Sequence, residues 1–180
     1  MIELLFFIAL VLGAYVWIKN YRQTKNEEWI KKGEDFLNKP RYTFNDNLGD
    51  AAKFKHKGLL AIKNKEFNKA WECFHEQKLS YMNHASQHKF NAQETLALDG
   101  SVSENLANIL RLEKKHKDAL IHIIYWVSTS PSTTKSQEKK LISYFNRAKL
   151  KAVNISQVNA FITIKPEFRE INNQISEWSS

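Results

Sequence analysis

AAKFKHKGLLAIKNKEFNKAWECFHEQKLSYMNH, residues 51–84, carries two helical periodicities in tandem. Phe54, Gly58, Ala61 and Ile62 recur at the three- and four-residue spacing of one helix face. Phe67, Ala70, Phe74 and Leu79 do the same on a second helix, and Asn64-Lys65-Glu66 breaks the pattern between them. Residues 100–133 repeat the scheme with Leu106, Ala107 and Leu110, then Ala119, Ile123 and Trp126, ending at Pro131. Gly58 and Ala70 are 12 positions apart, and so are Ala107 and Ala119. Close packing explains the spacing. Two antiparallel helices joined by a tight turn need a small residue on each where they cross, with large residues above and below.

These residues resemble the tetratricopeptide (TPR) repeat, a helical hairpin of 34 residues. Gly58, Phe67, Ala70 and Phe74 take the pattern's roles in the first unit; Ala107, Ala119 and Pro131 do so in the second. There His116 stands where Phe67 stood, and Ile123 replaces the second-helix aromatic. The resemblance spans 68 of the 180 residues and implies an all-α stack of hairpins that binds a protein on its concave face. The chain departs from it at one place. Ala70 and Ala119 are 49 positions apart, 15 more than contiguous repeats allow, and the surplus falls around residues 82–99. Longer helices or an extra one are expected there.

The rest of the chain fits an all-α domain over residues 48–180. The whole chain has only five Gly and three Pro, and its 43% hydrophobic with 26% charged residues suffices for a packed core. Residues 135–151 predict an amphipathic helix with Leu141, Ile142, Phe145, Ala148 and Leu150 inward. Residues 154–163 fit either helix or strand, and 160–164 (AFITI) is the best strand run. Pro166 followed by Phe168, Ile171, Ile175 and Trp178 predicts a last short helix. Residues 135–178 thus read as capping helices, which a repeat stack needs at its end.

Residues 1–18, MIELLFFIALVLGAYVWI, hold one charge, Glu3, and Lys19, Arg22 and Lys25 follow directly. As a helix this stretch extends roughly 25 Å, and Tyr15, Trp17 and a snorkelling Lys19 complete the ~30 Å hydrocarbon core. A secretory signal carries a basic start and a small-residue cleavage site. Neither is present, so a retained transmembrane anchor is expected. Basic residues only after the span place the following domain in the cytoplasm of an inner-membrane protein. The single Cys73 accords with a reducing compartment. Residues 19–47 read as a juxtamembrane helix (Trp29, Ile30, Phe36, Leu37) and a linker around Pro40. The Glu3-Leu4-Leu5-Phe6 start also resembles that of membrane-anchored TPR proteins that regulate lipopolysaccharide assembly. That likeness implies topology alone, because their four-cysteine metal module has no counterpart here.

Chemistry is sparse. His84 and His88 stand one helical turn apart, a metal-ligand spacing, but no third ligand accompanies them. Cys73 neighbours His75 in sequence, yet adjacent helical residues point about 100° apart and do not face each other. Glycine-rich phosphate loops and nucleophile elbows are absent from the sequence. No metal, cofactor or small-molecule ligand is therefore expected, and an enzyme is the third-ranked reading. The net charge of +8 is concentrated at the turns: Lys63, Lys65 and Lys69 at one, Lys114, Lys115, His116 and Lys117 at the other. Such an edge suits an acidic protein, nucleic acid or an anionic membrane, or is a plain solvated face. The leading expectation is a scaffold that holds a protein partner at the membrane. Its predicted contact residues project from the first helices: Lys53, Lys57, Lys63, Asn105, Asn108 and Arg111.

Overall fold

A computed structural model describes residues 46–180; the expected anchor at 1–18 and the segment that follows it up to residue 45 lie outside the described residues. Seven helices make up the described chain: α1 (Asn47–Lys63), α2 (Phe67–Gln87), α3 (Ala92–Leu112), α4 (His116–Thr129), α5 (Lys135–Ala148), α6 (Ile155–Thr163) and α7 (Phe168–Trp178). None of the helices among the described residues is long and apolar enough to cross a membrane.

Local sequence sets the helix starts. The Asp46 carboxylate accepts from the Gly49 N–H at 2.8 Å, and capping boxes open α3 (Asn91/Glu94), α5 (Thr134/Gln137), α6 (Asn154/Gln157) and α7 (Glu167/Glu170). Each satisfies backbone N–H groups that the first helical turn leaves without partners. The helix ends are less usual. Lys65, Lys89, Lys114, Lys149 and Lys165 all have positive φ, between 50° and 62°, just past the ends of α1, α2, α3, α5 and α6. After α1, α2 and α3 the chain closes back on itself: Glu66 N–H donates to Ala61, Phe90 N–H to Ala85 and Lys115 N–H to Leu110, each at 2.8–2.9 Å. Glycine is the usual residue at this left-handed position, and lysine there costs about 1 kcal/mol. A cation at a helix C-terminus recovers part of that.

Consecutive helices pack side by side: α1 on α2, α2 on α3, α3 on α4, and α4 on α5. The turns are short, so the direction alternates and α1, α3 and α5 end at the same end of the stack. The small residues lie inside as expected. Gly58, Ala70, Ala107 and Ala119 are all buried, and a Cβ on Gly58 would sit 2.8 Å from the Phe74 ring. Gly100 meets Thr129 in the same way, with the two residues' Cβ positions 2.9 Å apart. Two clusters result. Ala61, Ala70, Phe74, Val102, Leu106 and Ile109 join α1, α2 and α3. A larger one is built around α4, whose Ala119, Leu120, Ile123 and Ile124 are fully enclosed by α3, α5, α6 and α7.

The 15 surplus residues take the first of the two expected forms, lengthening α2 and α3 to 21 residues each. Several other expectations need correction. The second first-helix starts at Ala92, not Gly100, and Gly100 lies in its interior. The strand-like run 160–164 falls at the end of helix α6, because Asn154 and Gln157 cap a helical start and Val158 and Ile162 share its buried face. Ile142, expected inward, is 47% exposed; Tyr144 takes the buried position instead. The helices after Pro131 do more than cover an end. Val158, Ile162, Ile171 and Ile175 belong to the same core as α4.

Candidate interaction surface

The predicted contact residues occupy the solvent sides of α1 and α3. On α1, Lys53, Lys57 and Leu60 form one stripe at four- and three-residue spacing, and all three are exposed. Lys53 pairs with Asp50 at 3.0 Å, and that hydrogen bond raises its pKa. Lys57 lies 5.5 Å over the Phe54 ring, and Lys63 is exposed in the last turn. On α3, Asn105, Asn108 and Arg111 are half-buried and end at the exposed Leu112. Arg111 donates from Nη2 at 2.6 Å and from Nε at 3.2 Å to the Asn108 side-chain oxygen. Beside this stripe Glu104 reaches across to Lys140 of α5, whose ammonium also stands 5.5 Å from the Trp126 ring. The structure thus organises the residues into two stripes, and the Lys53–Asp50 and Arg111–Asn108 bonds stay within their own helices.

The turn lysines divide by their partners. Lys69 pairs with Glu66 and Lys115 with Glu113, at 3.0 and 2.9 Å. Lys63, Lys65, Lys114, Lys117, Lys149 and Lys151 are exposed and form no ion pair among the described residues.

Sequence reasoning missed a polar cluster inside the stack. Asp99 of α3 is 7% exposed; it accepts from the Tyr125 hydroxyl at 2.6 Å and from Lys78 at 2.8 Å. Around it, Trp71 packs on His75 and on His122, and Phe168 of α7 packs on both His122 and Tyr125, with ring centroids 5.0–5.8 Å apart. Burial, then the Lys78 charge, holds His75 down at about 4; burial and His75 hold His122 at about 3. Both rings are neutral at pH 7. Burial and the adjacent Asp99 push the Tyr125 phenol well above its ordinary value. With Asp99 held by a cation and a hydroxyl, the cluster ties α2, α3 and α4 together. The signal for it was an acid at position 99 on the helix face shared with Val102 and Leu106.

The remaining reactive types are placed as follows. His84 and His88 stack at 4.2 Å beside Phe90, and no group of three metal-ligating side chains forms among the described residues. Cys73 is half-buried, and burial pushes its thiol up, away from the reactive thiolate. Compared with known protein families, curated proteins and solved structures, the chain matches none.

Proposed function

We propose that the chain is a membrane-anchored, TPR-like scaffold that holds a protein partner at the cytoplasmic side of an inner membrane. The observation that carries this is the pair of solvent-side stripes, Lys53/Lys57/Leu60 on α1 and Asn105/Asn108/Arg111/Leu112 on α3. Each combines hydrogen-bonding side chains with an exposed leucine at its end, the mixture found where a polar rim surrounds an apolar anchor. Supporting the repeat reading are two hairpins whose small residues share one 12-residue spacing and are buried. Supporting the anchor are residues 1–18 with the basic residues that follow them.

The test is capture by the detergent-solubilised full chain. Reversing Lys57→Glu and Arg111→Glu together should abolish retention of a specific protein, with the melting temperature changed by little, since neither side chain enters the core. Reversing Lys65, Lys115 and Lys117 at the turns should leave that retention intact. Retention that survives the first set and fails with the second refutes the stripe as the site.

A further inference from the structure

The two ends of the stack differ in charge. At the end where α1, α3 and α5 finish lie Lys63, Lys65, Lys114, Lys117, Lys149 and Lys151, all exposed and without ion pairs among the described residues. The nearby acids are few: Glu66 and Glu113 are taken up by Lys69 and Lys115, and Asp118 lies in the first turn of α4. The opposite end mixes Lys89, Lys135, Lys139 and Lys165 with Asp46, Asp50, Glu94, Glu138 and Glu167. Exposed leucines stand among the lysines of the basic end. Leu60 and Leu112, 51% and 38% exposed, lie in the last turns of α1 and α3.

We propose that this end, centred on Lys65, Lys114 and Lys149 with Leu60 and Leu112 beside them, is a docking surface for an anionic lipid bilayer. Cations scattered among apolar side chains fit a leaflet that offers both phosphate and acyl chain. A nucleic acid would use the lysines but not the leucines, and single strands favour exposed aromatics for stacking; the exposed large apolar residues of this end are leucines. The proposal rests on the anchor reading in one respect: a tether of a few tens of residues raises the surface's local concentration at the membrane.

The experiment uses the full chain in nanodiscs of zwitterionic lipid with or without phosphatidylglycerol. Acetylation of each lysine by a succinimidyl ester is followed by peptide mass spectrometry. Lys65, Lys114 and Lys149 should react several-fold more slowly in the anionic discs, while Lys89 and Lys165 react equally in both. In the triple variant K65G/K114G/K149G, Lys63, Lys117 and Lys151 should lose their protection. Three lysines at about fivefold each weaken docking roughly a hundredfold, and relief of three strained positions keeps the melting temperature at or above the parent's. Equal rates in both discs, or protection shared by Lys89 and Lys165, overturn the proposal. Protection by an added oligonucleotide in place of anionic lipid overturns it in favour of nucleic acid. A chain that fails to enter zwitterionic discs refutes the anchor instead. Flotation with phosphatidylglycerol vesicles then tests the surface alone, and flotation that the triple variant retains rules it out.

Discussion

The two hairpins share a spacing and differ in surroundings. The first, α1 and α2, places Gly58 under Phe74 and buries six residues in a cluster with α3, while Leu48, Leu59 and Leu60 on α1 remain exposed. The second, α3 and α4, places Gly100 under Thr129, and α4 is largely buried from Ala119 onward because α5, α6 and α7 close over it. Among the described residues α1 packs chiefly on α2, while α4 packs on four helices. Equal local patterns therefore make unequal contributions to stability, and the difference lies in how many neighbours each helix meets.

The sharpest contrast is in truncation. Ile124→Ala in α4 should cost about 2–5 kcal/mol through lost burial and the cavity left behind. Leu59→Ala on α1 should stay within about 0.5 kcal/mol, because that side chain is 44% exposed. Denaturant unfolding of both variants checks this; equal losses would mean that the outer face of α1 is covered.

Acid should open the junction between the hairpins. His75 and His122 have folded-state values near 4 and 3, below the ordinary 6.5, so the unfolded chain binds their protons first. The stability they leave intact is complete above pH 6.5 and is lost as pH falls toward 4. His75 alone contributes about 3 kcal/mol of that loss, at 1.36 kcal/mol per unit. Melting temperatures from pH 7 to 4 read it directly. His75→Phe should flatten the profile, and a profile as steep as the parent's would disprove the assignment.

Overpacking asks whether the small residues act alike. Ala70→Leu and Ala119→Leu should each cost roughly 1–3 kcal/mol, since both alanines are 0% exposed. The larger loss belongs to Ala119, whose helix has fewer directions in which to relax. Variants that melt with the parent would remove the helix-crossing role.

The smallest effect has the opposite sign. Lys89→Gly, between the hairpins at φ 53°, should stabilise the fold by about 0.5–1 kcal/mol by relieving a left-handed lysine. A loss on calorimetry would show that the Lys89 side chain does more there than occupy a turn.

Helix content was legible because periodicity and capping are local. Phe54, Gly58 and Ala61, or Asn91 with Glu94, lie within a turn or two of one another and act through the same helix. The capping boxes at Thr134/Gln137 and Asn154/Gln157 are equally local, and in the structure the latter settles the helix–strand ambiguity of residues 154–163. What covers each helix was not local. Ile142 and Tyr144 are both plausible inward residues on one helix, and only the position of α4 against α5 chose Tyr144. The six contact residues could be placed on first helices, but the Arg111–Asn108 bond and the Glu104–Lys140 bridge depend on rotamers and on neighbouring helices.

The sequence alone thus determined the all-α character of the described residues, the hairpin spacing and the excess of basic turns, since each follows from residues close in the chain or from composition. Tertiary structure decided the rest. It joined Lys78, Asp99 and Tyr125 from three helices, enclosed α4 while leaving Leu59 and Leu60 of α1 exposed, and gathered Lys65, Lys114 and Lys149 at one end. Burial and charge proximity are properties of pairs far apart in the chain, and only packing brings such pairs together.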